Sequence, residues 1–176
     1  MSKVKVIMEN HGEFTIELYP EFAPATVANF LKLAGSGFYD GTIFHRVVDN
    51  FMAQGGDPEG TGMGGADETI KGEFAANGFT QNTLSHTRGV ISMARANNPN
   101  SASSQFFIMH EANDSLDGKY AAFGKVTEGM ETADAIVSVP RDRYNDKPFE
   151  DQKMKSVRVE TFGETYTVEK IKSNRF

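Results

Sequence analysis

Phe44-His45-Arg46-Val47-Val48-Asp49-Asn50-Phe51-Met52-Ala53-Gln54-Gly55-Gly56-Asp57 is the stretch on which the reading of this chain turns. One arginine, one glutamine and a Phe-Met pair fall in a single short run that ends in glycines. On a strand of alternating residues Phe44 and Arg46 would share one face, with His45 and Val47 on the other. A second run, Ser103-Ser104-Gln105-Phe106-Phe107-Ile108, sets another glutamine beside aromatic side chains. Guanidinium is always charged and presents several N–H donors in a fixed plane. Gln54 can both donate and accept, and Phe51, Met52 and Phe107 offer apolar walls. Each residue also has a plainer reading: a lone arginine is usually solvated, and Phe or Met usually belongs to a core.

Outward from these runs the chain reads as many short strands and two helices. Residues 3–9 and 13–18 alternate apolar and polar, and Asn10-His11-Gly12 between them carries hairpin turn chemistry. From Ala25 to Ala34 the spacing becomes helical, with Val27, Phe30, Leu31 and Ala34 at i, i+3, i+4 and i+7. Pro24 suits the first helical turn, and Gly35 and Gly37 suit the stop. Short apolar pieces follow at 43–48, 51–54, 90–94, 106–109 and 121–126, separated by Gly, Asn, Asp and Ser. Residues 129–138 predict a second helix through Met130, Ala133, Ile136 and Val137. Val157, Val159, Thr161, Tyr166 and Val168 suggest strands near the C-terminus, and the basic tail Lys170-Ile171-Lys172-Ser173-Asn174-Arg175 reads as a solvated end. This pattern indicates a sandwich or barrel.

The chain has 176 residues, about one domain, and is taken as a single domain over residues 1–176. A net charge of −6 argues against broad electrostatic binding to nucleic acid. There are no cysteines, so disulfides, thiolate metal sites and a cysteine nucleophile are excluded. Met1-Ser2-Lys3-Val4-Lys5-Val6-Ile7-Met8-Glu9 is no signal peptide, and no apolar run approaches the roughly 18 residues of a membrane span. A cytoplasmic protein without membrane contact is the expectation.

Several motifs fail inspection. Gly60-Thr61-Gly62-Met63-Gly64-Gly65 fits the dinucleotide-binding pattern, but Asp57-Pro58-Glu59 precedes it where a strand is required. Polar Ala66-Asp67-Glu68-Thr69 follows where a helix should open, so a flexible surface loop accounts better for the glycines. Asn113-Asp114-Ser115-Leu116-Asp117-Gly118 begins like a calcium loop, yet Gly124 stands where the bidentate glutamate belongs. His11, His45, His86 and His110 lack metal-ligand spacing. No metal or cofactor is expected.

The segments named above resemble the cyclophilins, which are peptidyl-prolyl cis-trans isomerases. The resemblance runs from about residue 3 to residue 138. It includes Phe22-Ala23-Pro24, Gly37-Phe38-Tyr39-Asp40-Gly41, Phe44-His45-Arg46, Phe51-Met52-x-Gln54-Gly55-Gly56-Asp57 and Gly60-Thr61-Gly62. It continues through Gly89-Val90-Ile91-Ser92-Met93-Ala94, Ser104-Gln105-Phe106-Phe107-Ile108, Leu116-Asp117-Gly118-Lys119 and Phe123-Gly124-Lys125-Val126. It implies a mainly β fold, a closed eight-stranded antiparallel β-barrel capped by two α-helices, with the active site on the outer face. It also implies a monomer acting on proline-containing peptides and on unfolded or folding proteins.

Carried over residue by residue, Arg46 resembles the catalytic arginine and Gln54 the residue that orients the substrate backbone. Phe51, Met52, Phe107 and Leu116 resemble the proline pocket. Ala94, Arg95 and Ala96 resemble the strand edge along which the peptide lies. Gly62 to Gly65 and Gln105 border the groove, with Met63 beside the pocket for residues preceding the proline. Such a catalyst needs to hold the ring, hold the flanking carbonyls and offer a donor to the prolyl nitrogen. Two positions depart from the eukaryotic pattern: Ser115 stands where those members carry tryptophan, so weak cyclosporin binding is expected, and Tyr120 stands for a histidine near the proline pocket. Arg95, for the usual eukaryotic asparagine, looks bacterial. Two other readings stay open: a module that only binds proline-containing partners, and an unrelated enzyme using the glycine loop for phosphate. Past about residue 140 the resemblance carries nothing.

Overall fold

Val4, Val6 and Met8 of β1 (Ser2–Met8) and Phe14, Ile16 and Leu18 of β2 (Glu13–Leu18) are all buried on one face of the first hairpin. The register sets Val4 opposite Ile16 and Val6 opposite Phe14, so bulky pairs meet across the ladder. The computed structural model describes residues 2–10 and 12–160 and the backbone of Ile171–Lys172. His11, the strands expected at Thr161, Tyr166 and Val168, and the remainder of the basic tail lie outside the described residues.

Helix α1 (Pro24–Gly35) buries Val27, Phe30, Leu31 and Ala34, the stripe the spacing predicts. Its first-turn N–H groups lack intrahelical partners. The Glu73 carboxylate accepts from Ala25 N at 3.2 Å and Thr26 N at 2.7 Å, and from the Thr26 hydroxyl at 2.6 Å. Helix α2 (Met130–Val137) buries Ala133, Ile136 and Val137.

Six further strands complete the main sheet: β3 (Arg46–Val48), β4 (Met52–Gly55), β6 (Val90–Met93), β7 (Phe106–Met109), β8 (Ala122–Glu128) and β9 (Met154–Glu160). A two-residue strand β5 (Glu68–Thr69) stands apart. The eight-stranded sheet runs β3-β4-β7-β6-β8-β2-β1-β9, antiparallel throughout. Among the described residues no β3–β9 ladder closes it. The two ends meet instead just before those strands, where Ile43 bridges Lys153, Phe44 N donates to Gln152 O at 2.9 Å and Met154 N to Thr42 O at 2.9 Å. The expected closed barrel is therefore closed at one level only. Strand β10 (Ile171–Lys172), expected in a solvated tail, pairs with β5.

The barrel interior is aromatic. Phe30, Tyr39, Phe44, Phe106 and Phe123 are buried together, with Phe30 and Phe106 rings 5.6 Å apart and edge-on. Burial pushes the Tyr39 phenol far up, and its hydroxyl donates to Ser104 O at 2.9 Å. Phe44 and Val47 both enter this core, so the expectation that Phe44 shares a face with Arg46 is wrong. The regular strand begins only at Arg46; Phe44 instead pairs across the seam, and strict alternation does not reach it.

From Arg46 onward alternation holds, and it makes the outer face. Ala53, Ile91, Phe106 and Ile108 point inward, while Met52, Val90, Phe107, Met109 and Ala122 form a second cluster outside. Phe51, Leu116, Ala94 and Tyr120 pack partly buried against that second cluster. Among the described residues no helix is long and apolar enough to cross a membrane.

Candidate active site

Four adjacent strands, β3, β4, β7 and β6, aim outward side chains at one face. The ladder sets Arg46 opposite Gln54, Gln54 opposite Phe107, and Phe107 opposite Ser92. A cavity of about 180 Å³ lies over these strands, lined by Arg46, Phe51, Met52, Gln54, Ala94, Arg95, Phe107, Leu116 and Tyr120. A second cavity of about 80 Å³ adjoins it through Gln54, Ala94 and Arg95, and is completed by Gly62, Gly64, Ala96, Ser101, Ser103 and Gln105. Of the site residues predicted from the sequence, all but Met63 and Gly65 line one of the two. Met63 is 61 % exposed in the loop beside them.

The Arg46 side chain is half-exposed, and its Nε stands 4.0 Å from Asp146 Oδ2. Asp146 Oδ1 is engaged by Arg141 Nε at 3.2 Å, and Arg141 also reaches Asp49. Among the described residues no hydrogen bond takes up the Arg46 N–H groups, so they remain available over the cavity.

The two glutamines have defined orientations. Gln105 Nε2 donates to Gly62 O at 3.0 Å and Gly64 O at 2.8 Å, so its Oε1 is the atom that accepts from Gln54 Nε2 at 3.0 Å. Gln54 therefore spends a donor on Gln105 and keeps its carbonyl oxygen as an acceptor for a peptide N–H.

Residues 94–96 lie just past the end of β6. Ala94 N still donates to Gln105 O, and Arg95 leaves the ladder. Its guanidinium lies between the Phe74 ring, 4.8 Å from the centroid, and the Tyr120 ring, at 4.7 Å. It also donates to Lys119 O and Ala96 O at 2.7 and 3.0 Å. Arg95 thereby fixes Tyr120, whose ring meets Phe107 edge-on at 5.7 Å. Ser115 is exposed in a short 3-10 turn, its hydroxyl folded back on Asn113 Oδ1 at 2.5 Å.

Sequence reasoning passed over two residues that hold the site. His86 is buried and lies nearly parallel to Phe107, 5.9 Å between ring centroids. Its Nδ1 meets Asp117 Oδ1 and its Nε2 meets Ser92 Oγ, both at 2.9 Å. Burial pulls the His86 pKa down against the opposing pull of Asp117. Asp57 holds the glycine loop, its carboxylate accepting from the N–H groups of Glu59, Thr61, Gly62 and Gly64. Burial alone raises the Asp57 carboxyl, and the four donors outweigh it, leaving the pKa below the usual range. A Cβ at Gly64 would land on that carboxylate. The loop expected to be flexible is thus wound around a charge. An acid directly before a glycine-rich stretch was the available signal. Asn145 and Lys147, also unforeseen, line a third cavity with His45, Arg46 and Gln54.

Among the described residues no group of three or more His, Asp or Glu is placed to hold a metal ion. The arrangement sets a charged planar donor and an oriented acceptor on neighbouring strands beside a hollow walled in part by Phe51, Met52, Phe107 and Leu116.

Residues 3–159 match the family model described as cyclophilin type peptidyl-prolyl cis-trans isomerase/CLD. The match runs past residue 140, where the sequence resemblance stopped, and takes in β9 as far as Val159. The chain is 50 % identical to peptidyl-prolyl cis-trans isomerase B of Bacillus subtilis over 127 residues, 72 % of this chain and 85 % of that protein. It is similar to a crystal structure of a Cryptosporidium parvum cyclophilin type peptidyl-prolyl cis-trans isomerase, with a TM-score of 0.80 and 35 % identity over 91 % of this chain and 98 % of that one. A crystal structure of the same protein in the presence of the dipeptide Ala-Pro gives a TM-score of 0.79 and 34 % identity over 90 % and 99 %. With the outward-facing groove of β3, β4 and β7 and matches of this extent, the chain belongs to the cyclophilin-type peptidyl-prolyl cis-trans isomerases.

Proposed function

We propose that the two adjoining cavities are one substrate groove and that Arg46 is the residue that lowers the rotation barrier. Rotation about a peptide bond costs about 18–20 kcal/mol, because the nitrogen lone pair is delocalised into the carbonyl. In the twisted state that lone pair is localised on the prolyl nitrogen. An N–H of Arg46 directed at it stabilises the twisted amide more than the planar one, which is the condition for a faster chemical step. Phe51, Met52, Phe107 and Leu116 hold the ring, and the Gln54 carbonyl oxygen accepts a substrate N–H, so that only the prolyl bond turns. Gly62, Gln105 and residues 94–96 border the neighbouring stretch of peptide, and Tyr120 closes the far wall. No metal, cofactor or nucleophile takes part in a rotation.

The observation that carries this reading is the Arg46 guanidinium, not hydrogen-bonded among the described residues, at a cavity whose walls include Phe51, Met52, Phe107 and Leu116. The substrates are proline-containing peptides, and we extend them to unfolded and folding proteins met by a single-domain, cytoplasmic monomer. Cyclosporin binding is weak, since Ser115 offers neither an indole N–H nor a broad apolar face.

The test is exchange spectroscopy on an Ala-Pro test peptide with wild type and Arg46→Ala. Removing one preorganised donor lowers kcat by roughly 10²–10³. The urea midpoint stays in place, because Arg46 is half-exposed and makes no hydrogen bond within the described fold. Near wild-type turnover in the variant would refute the mechanism.

A further inference from the structure

The turn between β3 and β4 carries Phe51 to the proline pocket, and one histidine grips that turn from both sides. Asn50, immediately before Phe51, has a left-handed backbone with φ 64°. Non-glycine residues visit that region sparsely and stay there only with outside support. Asn50 N donates to His110 Nδ1 at 2.8 Å. The His110 backbone N–H in turn donates to Phe51 O at 2.8 Å.

The imidazole is itself held. Its Nε2 stands 3.3 Å from Asp134 Oδ1 on α2. Asp134 receives two N–H groups of Arg88, at 2.8 and 2.7 Å, and Arg88 Nη1 also donates to His110 O at 2.9 Å. The Arg88 contact keeps the Asp134 carboxyl below the usual carboxylate range. A backbone N–H can only donate, so His110 Nδ1 must carry a lone pair. The neutral ring then bears its proton on Nε2, facing Asp134. His110 lines neither cavity of the groove.

We propose that His110 is a positioning residue for the proline pocket: its Nδ1 fixes Asn50 in the left-handed turn and so sets Phe51 against the proline ring, while Asp134 and Arg88 hold the imidazole in the tautomer this requires. The proposal rests on the reading that Phe51 walls that pocket.

The test separates kcat from KM for an Ala-Pro test peptide in wild type, His110→Ala, His110→Asn and Phe51→Ala. Phe51 would touch the ring in ground and transition states alike, so a loosened Phe51 raises KM and leaves kcat in place. Partial unfolding would do the opposite, removing active enzyme and lowering apparent kcat at constant KM. His110→Ala raises KM about two- to tenfold, the range that loss of one hydrogen bond allows. His110→Asn, whose Oδ1 accepts near the position of Nδ1, returns KM toward wild type. Long-range proton–nitrogen NMR of the wild type shows the Nε2–H tautomer at His110.

An unchanged KM in His110→Ala, with KM raised in Phe51→Ala, overturns the role of His110 and leaves the pocket standing. An unchanged KM in Phe51→Ala overturns the pocket reading and this inference with it. Equal damage from His110→Ala and His110→Asn, or an Nδ1–H tautomer in the wild type, also overturns the inference.

Discussion

Gln105→Glu exchanges one NH2 group for one oxygen at constant shape, and so isolates the hydrogen bonds that hold the groove's loop wall. The wild-type amide donates to Gly62 O and Gly64 O and accepts from Gln54. A carboxylate accepts and cannot donate. The variant keeps the Gln54 bond and turns two donor–acceptor contacts into two acceptor–acceptor contacts. Two hydrogen bonds at about 0.5–1.5 kcal/mol each set the loss at roughly 1–3 kcal/mol. Gln105 is only partly buried, so water reaches the freed carbonyls and the lower half of that range applies. For a chain of this size that is a fall in Tm of about 2–8 °C at pH 7. The pH dependence identifies the cause. A carboxyl facing two carbonyls favours its protonated form, so its folded pKa lies above the ordinary glutamate value of about 4.3. The folded state then holds the proton longer than the unfolded state, and stability falls as pH rises through this window. The deficit is full at pH 7 and shrinks toward pH 4. Gln105→Ala loses the same donors with no such pH dependence. Urea unfolding of wild type and both variants at pH 7 and pH 4 measures this, each variant compared with wild type at the same pH. A Gln105→Glu protein as stable as wild type at pH 7, or one whose deficit is unchanged at pH 4, would refute the reasoning.

Two more outcomes follow from particular residues. Burial lowers the pKa of both His45 and His86, against opposing pulls from Asp57 and Asp117 respectively. The unfolded chain therefore takes up these protons first, and stability declines as pH falls below about 6.5, by up to roughly 1.4 kcal/mol per pH unit for each histidine. A urea midpoint constant from pH 7 to pH 5 would contradict this. Ser115→Trp places an indole beside Leu116 of the pocket rim and tightens cyclosporin by at least about tenfold in a calorimetric titration, as buried aromatic anchors do. An unchanged Kd would show that the missing indole is not what weakens binding.

What the sequence disclosed and what it withheld divide along the strands. β7 falls on the expected 106–109, and α1 and α2 appear within a residue or so of their predicted spans, because their apolar periods are intact. The residues of the groove became legible through the family resemblance of their segments: Arg46, Gln54 and Phe107 each have a plainer reading as solvated or core residues, and alternation alone did not choose between the two. Phe44 was misread where alternation stops, two residues before β3. The closure at Ile43 and Lys153 was invisible, since a single bridge between distant segments leaves no periodic trace. The roles of Asp57, His86 and His110 were hidden for another reason. Each acts through polar contacts to residues distant in the sequence or to loop backbone, and a histidine in a sequence carries no partner with it; for Asp57 the glycines that follow were the one trace.

The same division explains how the site is built. Period-two alternation sends Phe106 and Ile108 into the barrel and Phe107 and Met109 out of it, so the groove floor and the core are opposite faces of one sheet. A one-residue slip of β7 would exchange them, so the aromatic interior that fixes the register also fixes the floor. The walls have no such guarantee. The Gly60–Gly65 loop and the Asp49–Phe51 turn lie outside the ladders, and their N–H groups need acceptors from elsewhere. Asp57 accepts from three N–H groups of the first, and His110 grips the second. Substitutions in the interior should therefore act on stability and site together. Substitutions at Asp57, Gln105 or His110 should move the walls while the barrel stays folded, which makes them the positions where substrate preference can change without loss of the fold.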